Sequence, residues 1–574
     1  MPRLASIHKI LLAALALRLV AALFSTGYLM HDDHFSVIET AASWADGEDY
    51  NRWLPWNQEG EPRVYPANFT YVGSQFLLFS ALKWTGVLAP QSQMLIVRIL
   101  HALYSLLIVV FGYQLTLRLT RGLRGQSSVE EQNDRHGINS VALSVAWILA
   151  LGGLFPNLSV RNLAEMVCIP PLLWGLSAAV NQQKLDVKSI VIAGLGLGLA
   201  TGLRYQCGLF GVGLAAVLFG QKQLGTALKI GAVALVTFAL TQLPDLFVWG
   251  EPFVQLRAYL AYNGSHAGDY PSGPWYTYLL TLLGLLIPPI SLLITFGLFY
   301  GLYAYFTSRS PADTRPETDA ADSSNAEINR DTLALWLRVA VPALLFLVVH
   351  SIYANKQERF ILSAVPLVIS AGLVGWQMWK SRSAWWNGSI GLRVERWCWR
   401  VFWGLNAIAL VVFTPLKGKS ARVEAMDFMY AQKAQNFLVV QVDAAPMMPK
   451  FYAGSWADYY WSDRRENPSG KSGKKTDIDI QRRVICRGEG RPWPEFFLFV
   501  GDERLAEEIA IHNEVYPGLA YETTIRPSLY NRTLHRLNPI NGVERIMIYS
   551  TDRSKICPAN LQAPVKTETL DQNP

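Results

Sequence analysis

Charge is scarce in this chain. Only 17% of its 574 residues are Asp, Glu, Lys or Arg, against about a quarter in soluble domains, which excludes a wholly water-exposed globule. The deficit is uneven. Apolar blocks separated by short basic loops run to about residue 417, and the remainder has the composition of a soluble segment. Cysteine is sparse as well: five residues, with no CxxC and no zinc-type spacing, exclude a disulfide scaffold, a thioredoxin-like redox motif and a structural zinc site. Cys168, Cys207 and Cys398 lie in or beside apolar blocks, where a buried thiol is the simple reading. Cys486 and Cys557 lie in the tail and can pair if it faces an oxidising compartment. No internal repeat is visible, and no basic stripe interleaved with aromatics accompanies the net charge of +7, so nucleic acid is not an expected partner.

What is present is a series of stretches long enough for a bilayer core of about 30 Å, which takes roughly 20 apolar residues per helix. They fall near 9–29, 94–117, 139–156, 163–181, 188–204, 206–221, 229–249, 274–305, 333–352, 360–379 and 401–416. The first contains Arg18 and has no convincing cleavage site, so it reads as a retained helix rather than a signal peptide. The 274–305 block carries Pro288–Pro289 and is either one kinked helix or a broken pair. With the N-terminus cytoplasmic and 70–86 lying in the interface, Arg118, Arg121, Arg124, Arg135, Lys184, Lys188, Lys222, Lys229, Arg309, Arg315, Arg330, Lys380, Arg382, Arg393, Arg396 and Arg400 fall on the cytoplasmic side. That matches the positive-inside bias. Residues 30–93 then form an external loop with interfacial helices. Residues 307–332 read as a disordered cytoplasmic linker. Beyond 417, the runs NFLVVQVD, EFFLFVG and RIMIYST with the helical DERLAEEIAIHNEV predict a small α/β domain outside the membrane, with a flexible loop at 463–477.

That topology puts four polar clusters on one face. His31-Asp32-Asp33-His34 follows the first helix; an adjacent acid pair there suits a general base, a metal site or simply a solvated helix end. Arg161 with Glu165, Arg204 at the end of an apolar helix, and Lys356-Gln357-Glu358-Arg359 are the others. Ionisable groups at membrane depth are expensive and mark function unless they snorkel to the interface. Together the four cations Arg161, Arg204, Lys356 and Arg359 suit a phosphate head group, which Arg holds bidentately. The loop with Tyr262, Asn263, His266, Asp269 and Tyr270, followed by Trp275 and Tyr276, suits a sugar-binding wall or an interfacial aromatic belt.

These clusters, in this order, resemble the GT-C glycosyltransferases, and more narrowly glycosyltransferase family 22, the α-mannosyltransferases of the GPI-anchor and N-glycan pathways. The family's HPDEYWQxxE pattern is similar to His31-Asp32-Asp33-His34-Phe35-Ser36-Val37-Ile38-Glu39, with one residue missing after the His and Asp33 in place of Glu. Arg63-Val64-Tyr65-Pro66 resembles its RSYxxP segment, and Val160-Arg161-Asn162-Leu163-Ala164-Glu165 its ART-like segment. Tyr270-Pro271-Ser272-Gly273-Pro274-Trp275-Tyr276-Thr277-Tyr278 is similar to the family's aromatic loop. The HKExRFxxPxxP pattern reads here as Asn355 to Pro366, with Asn355 for His and Ser363 where a Pro is usual.

The resemblance covers roughly residues 8–380 and implies a mainly α polytopic membrane protein of GT-C type with about 11 transmembrane helices and a C-terminal soluble α/β domain. It assigns 1–417 to a transmembrane catalytic domain and leaves 418–574 as an extracytoplasmic domain. The implied activity is inverting transfer of a sugar, with mannose favoured, from a polyprenyl- or dolichyl-phosphate carrier to a lipid or glycan hydroxyl, with membrane lipids as further partners. Asp32 or Asp33 is the expected base. Arg161, Arg204, Lys356 and Arg359 are expected on the donor phosphate. His31, Glu39, Arg63, Tyr65, Glu165, His266, Trp275 and Glu358 are expected to contact substrate. No metal and no cofactor are implied. The alternative is a transporter or flippase of a lipid-linked sugar working by alternating access. A bacterial inner membrane is favoured over the endoplasmic reticulum, with the site on the non-cytoplasmic face.

Overall fold

Most of the apolar stretches become helices in the computed structural model, which describes residues 2–65, 68–121, 131–266, 269, 272–307, 330–442, 447–463, 473–488, 492–502, 504–537 and 543–562. Residues 308–329 of the expected linker at 307–332, residues 464–472 of the expected loop at 463–477, and Pro66, Tyr270 and Pro271 lie outside them; residues 330–332 instead open the helix Arg330–Ile352, and 473–477 the helix Gly473–Arg487. Among the described residues, six helices are long and apolar enough to cross a membrane: Ile7–Phe24, Pro90–Arg121, Leu224–Trp249, Ile290–Thr307, Arg330–Ile352 and Glu358–Arg382. Four more of the eleven stretches form the shorter apolar helices Ser140–Leu151, Ala164–Ala179, Val187–Leu203 and Tyr205–Gly220. Such helices rise only about 1.5 Å per residue and fall short of a core about 30 Å thick. The eleventh, 401–416, is the apolar half of the helix Ser389–Phe413. The 274–305 block is broken: Thr277–Leu285 and Ile290–Thr307 are separate helices, divided at Pro288–Pro289. Proline removes a backbone donor and clashes with the preceding turn.

The described chain divides into two compact units. The first comprises Met1–Ser25, Arg52–Gln75 and Leu95–Leu416. Helices Ile290–Thr307 and Val365–Arg382 pack so closely there that a Cβ on Gly297 would run into the Gly372 carbonyl and the Trp376 nitrogen. Small residues allow this contact between apolar helices. Gly297→Val is therefore expected to destabilise the unit by about 1–3 kcal/mol through overpacking. Thermal melting in detergent would show it, and an unchanged curve would mean these helices separate freely. Two buried arginines close helix ends. Arg18 donates to the Ala150 and Leu149 carbonyls at 2.9 and 3.1 Å and to Ser105 at 2.9 Å. Arg338 donates to the carbonyls of Ala179, Gln182 and Gln183 at 2.9, 3.1 and 2.8 Å. The last carbonyls of a helix have no intrahelical partner, and these guanidiniums supply one.

The second unit comprises Thr26–Asn51, Phe76–Met94 and Lys417–Pro574. It thus takes in two parts of the 30–93 region that sequence order alone grouped with the helices. Its centre is a five-stranded sheet in the order β2-β1-β3-β5-β4: β1 (Phe437–Gln441), β2 (Tyr460–Asp463), β3 (Phe496–Gly501), β4 (Ala520–Ile525) and β5 (Arg545–Ser550). β1 runs parallel to β2 and β3, whereas β5 is antiparallel to β3 and β4. The three expected strands are β1, β3 and β5; the central β1 is buried along its whole length. The expected helix is Leu505–Val515. Its Ile509 joins Phe497, Phe499 and Tyr516 in one core. Cys486 and Cys557 form a disulfide that ties the helix Gly473–Arg487 to the segment after β5.

Candidate active site

In the first unit three of the expected residues converge. Glu165 lies on the short helix Ala164–Val167. Arg204 follows the last turn of Val187–Leu203, where the backbone turns extended (φ −151°, ψ 110°) and swings the side chain off the helix. Arg359 lies on the 3-10 helix Glu358–Ala364. One Arg204 nitrogen, Nη2, stands 3.5 Å from Glu165 Oε1, and Arg359 Nε stands 4.0 Å from the same oxygen. Arg204 Nη1 donates to Ser363 Oγ at 2.8 Å and to the Phe360 carbonyl at 2.9 Å, while its guanidinium lies over the rings of Phe346 and Phe360. Glu165 and Arg204 are buried. Two guanidiniums face one carboxylate in a low-dielectric setting. Burying such charges is costly unless they are paired. Among the described residues, Glu165 Oε2 and Arg204 Nη2 also have no hydrogen-bond partner.

The other two cations are engaged elsewhere. Arg161 donates to Asn157 Oδ1 at 3.3 Å and to the Leu416 carbonyl at 2.5 Å. Lys356 Nζ donates to the carbonyls of His350 and Ser351 at 3.2 and 3.1 Å and to that of Tyr353, closing the end of Arg330–Ile352. The aromatic loop meets this connection through a bridge between Ser272 and Asn355 and through Tyr278, whose hydroxyl donates to the Gln357 carbonyl at 3.3 Å. Trp275 and Glu358 are exposed. His266 stacks on Tyr262 at 4.4 Å, Tyr65 stacks on Trp53 at 3.6 Å, and Arg63 is exposed with its backbone held by Gln58.

The acid pair lies in the second unit at the start of a widened π-helical turn, Asp33–Glu39, which Asp32 immediately precedes. Such turns are rare and often occur at functional sites. The Phe35 carbonyl takes hydroxyl bonds from Thr40 at 3.1 Å and Tyr50 at 3.0 Å. Asp32 is exposed and Asp33 half-buried, so both carboxyls reach solvent, as a general base must. His31 is also exposed; partial burial, opposed by the Asp32 charge, holds its imidazole below the usual range. By contrast His34 and Glu39 are buried, with His34 Nε2 3.5 Å from Glu39 Oε1. Glu39 Oε1 accepts the Phe451 N–H at 3.1 Å. Among the described residues no group of three or more His, Cys, Asp or Glu is arranged to hold a metal ion.

Sequence reasoning missed Ser363, which stands where the family pattern has Pro and supplies the hydroxyl that anchors Arg204. A polar residue in an apolar run was the available signal. It also missed Arg422, whose guanidinium forks onto Glu544, at 2.6 Å through Nε, and reaches Tyr28 at 3.4 Å. Burial alone would lower the Arg422 pKa, but Glu544 and Tyr28 hold it above its ordinary value.

Residues 9–445 match the model of the Alg9-like mannosyltransferase family. The chain belongs to that family. It is a glycosyltransferase and an integral membrane protein, which answers the transporter alternative. Among solved structures it is similar to ArnT from Cupriavidus metallidurans bound to undecaprenyl phosphate, at 13% identity and a TM-score of 0.55, covering 97% of this chain and 99% of that one. The apo state of ArnT is similar at 14% identity and a TM-score of 0.53, covering 98% and 100%. An oligosaccharyltransferase from Archaeoglobus fulgidus in complex with zinc and sulfate gives 12% identity and a TM-score of 0.47 over 90% and 72%. Curated protein sequences give no significant match. The family match takes in Asp32, Asp33, Glu165, Arg204 and Arg359, and stops short of Phe451.

Proposed function

We propose that this family member transfers mannose from a polyprenyl-phosphate carrier to a lipid or glycan hydroxyl, on the non-cytoplasmic face of a bacterial inner membrane. The observation that carries the reading is the Glu165–Arg204–Arg359 group, in which Glu165 and Arg204 are buried and two guanidiniums share one carboxylate, an arrangement that suits a departing phosphate. The undecaprenyl phosphate bound by the structurally similar ArnT supports a carrier of that class. The three residues come from three connections that the positive-inside bias assigns to one side, and a disulfide in the C-terminal sheet is at home in an oxidising compartment. On this reading the four shorter apolar helices, each with the residues that flank it, and the apolar half of Ser389–Phe413 complete a bundle of about 11 passes.

Asp32 or Asp33 takes the proton from the acceptor hydroxyl as its oxygen attacks the anomeric carbon. The carbon–phosphate-oxygen bond breaks on the opposite face and the sugar inverts. The bonding pair leaves with the lipid phosphate, and Arg204 and Arg359 stabilise that growing charge. Preorganised donors of this kind commonly supply the largest catalytic term.

The test is transfer by the purified protein in detergent, given undecaprenyl-phosphate-mannose with labelled sugar and a total lipid extract of the producing cell. Label moving into a new lipid or glycan product supports the reading. Label moving instead from a sugar nucleotide would overturn it.

A further inference from the structure

The acid-pair segment is gripped by a stretch of chain that lies beyond the family match. Residues 447–460 include the short helix Lys450–Ala453, entered at Pro449 and ended by Gly454 with φ +65°. A helix start leaves its first N–H groups without intrahelical partners. Here the Phe451 N–H is taken by Glu39 Oε1 at 3.1 Å. His34 lies between two rings, parallel to Tyr28 at 4.7 Å and to Tyr452 at 5.5 Å. His34, Glu39 and Tyr452 are at most 1% exposed. Trp456 Nε1 donates to Asp46 Oδ2 at 2.7 Å and its ring meets Tyr50 at 5.5 Å, while Lys450 Nζ lies over the same Tyr50 ring. Tyr50 in turn donates to the Phe35 carbonyl, so the grip reaches the backbone of the widened turn itself. At the other end, Tyr28 N–H donates to the Gly418 carbonyl at 3.0 Å, and Gly418 N–H to that of Thr26 at 3.3 Å.

We infer that Tyr452 and Glu39 are positioning residues: residues 447–460 form a clasp that fixes the shape of the turn bearing Asp32 and Asp33, so the C-terminal region takes part in catalysis by holding that turn. The inference rests on the reading of this segment as catalytic. It also explains why Glu39 lies buried against main chain rather than facing a substrate.

Two measurements on the purified full-length protein test it. Amide hydrogen exchange needs no substrate: Tyr452→Ala should raise exchange across residues 28–50, while Tyr452→Phe, which keeps the ring, should not. Unchanged exchange in Tyr452→Ala would overturn the clasp. In the transfer assay with undecaprenyl-phosphate-mannose, Tyr452→Ala and Glu39→Ala should lower kcat about 100-fold with donor KM within about twofold, as displacement of a reacting group does. Tyr452→Phe and Glu39→Gln should restore most of it. Full kcat per folded Tyr452→Ala molecule, or an equal loss in Tyr452→Phe, would overturn the proposal. Asp32→Asn and Asp33→Asn, run alongside, separate the two readings. Active acid variants beside an inactive Tyr452→Ala dismiss the base assignment and leave the clasp. Inactive acid variants beside an active Tyr452→Ala dismiss the clasp alone.

Discussion

Asp32→Asn is expected to abolish sugar transfer while leaving the protein folded. The amide keeps the size of the carboxylate and removes its ability to take a proton, and a positioned base is worth roughly 10²- to 10⁴-fold in rate. Asp32 is exposed, so the change should move stability by no more than about 0.5 kcal/mol, the usual range for a surface substitution. Asp33→Asn separates the members of the pair. Asp32 holds the Asp position of the family pattern and is expected to carry the larger loss, with Asp33→Asn retaining more turnover. Steady-state transfer with a melting curve for each variant measures both effects. Wild-type turnover in both single variants would remove the acid pair from the chemistry.

Arg204→Ala is expected to produce the second large effect, in two parts. Loss of one donor to a developing oxyanion costs about 3 kcal/mol, or about 100-fold in kcat. Removing one partner from a buried ionic group also destabilises, by about 3–5 kcal/mol when the remaining charge is stranded. Glu165 would retain Arg359 at 4.0 Å, which places the expected loss at the lower end. The double variant Arg204→Ala with Glu165→Ala distinguishes the parts. It should recover most of the lost melting temperature and none of the turnover. Arg204→Lys should not rescue turnover, because an ammonium cannot reach Ser363, the Phe360 carbonyl and a phosphate with the fork of a guanidinium. Turnover restored in the double variant would mean that Arg204 acts only on structure.

Apolar length and strand alternation were legible because both are local. They located the helices, and they found β1 and β3, which are almost wholly buried, and β5, which buries Ile546 and Ile548. β2 and β4 escaped: the four residues of β2 and the largely exposed AYETTI of β4 extend because a neighbour pairs with them, and pairing is not written in either segment. At the site, a basic residue near a helix end reads the same whether it awaits a phosphate or closes orphan carbonyls. Arg204 and Lys356 looked alike in sequence, yet one faces Glu165 and the other donates to the carbonyls of His350, Ser351 and Tyr353. The contacts of Tyr452 with His34 and of Gly418 with Tyr28 join residues hundreds of positions apart, and no periodicity reports them.

The covalent link between Cys486 and Cys557 sets an order of events during synthesis. Cys557 follows all five strands, so the link cannot close until the ribosome has passed the entire sheet. Tyr452 and Phe451 emerge about a hundred residues earlier and can meet the N-terminal turn while the sheet is still incomplete. Closure of the sulfur link is then the final lock on a region whose earlier partners, Tyr28 and His34, precede Cys557 by hundreds of residues.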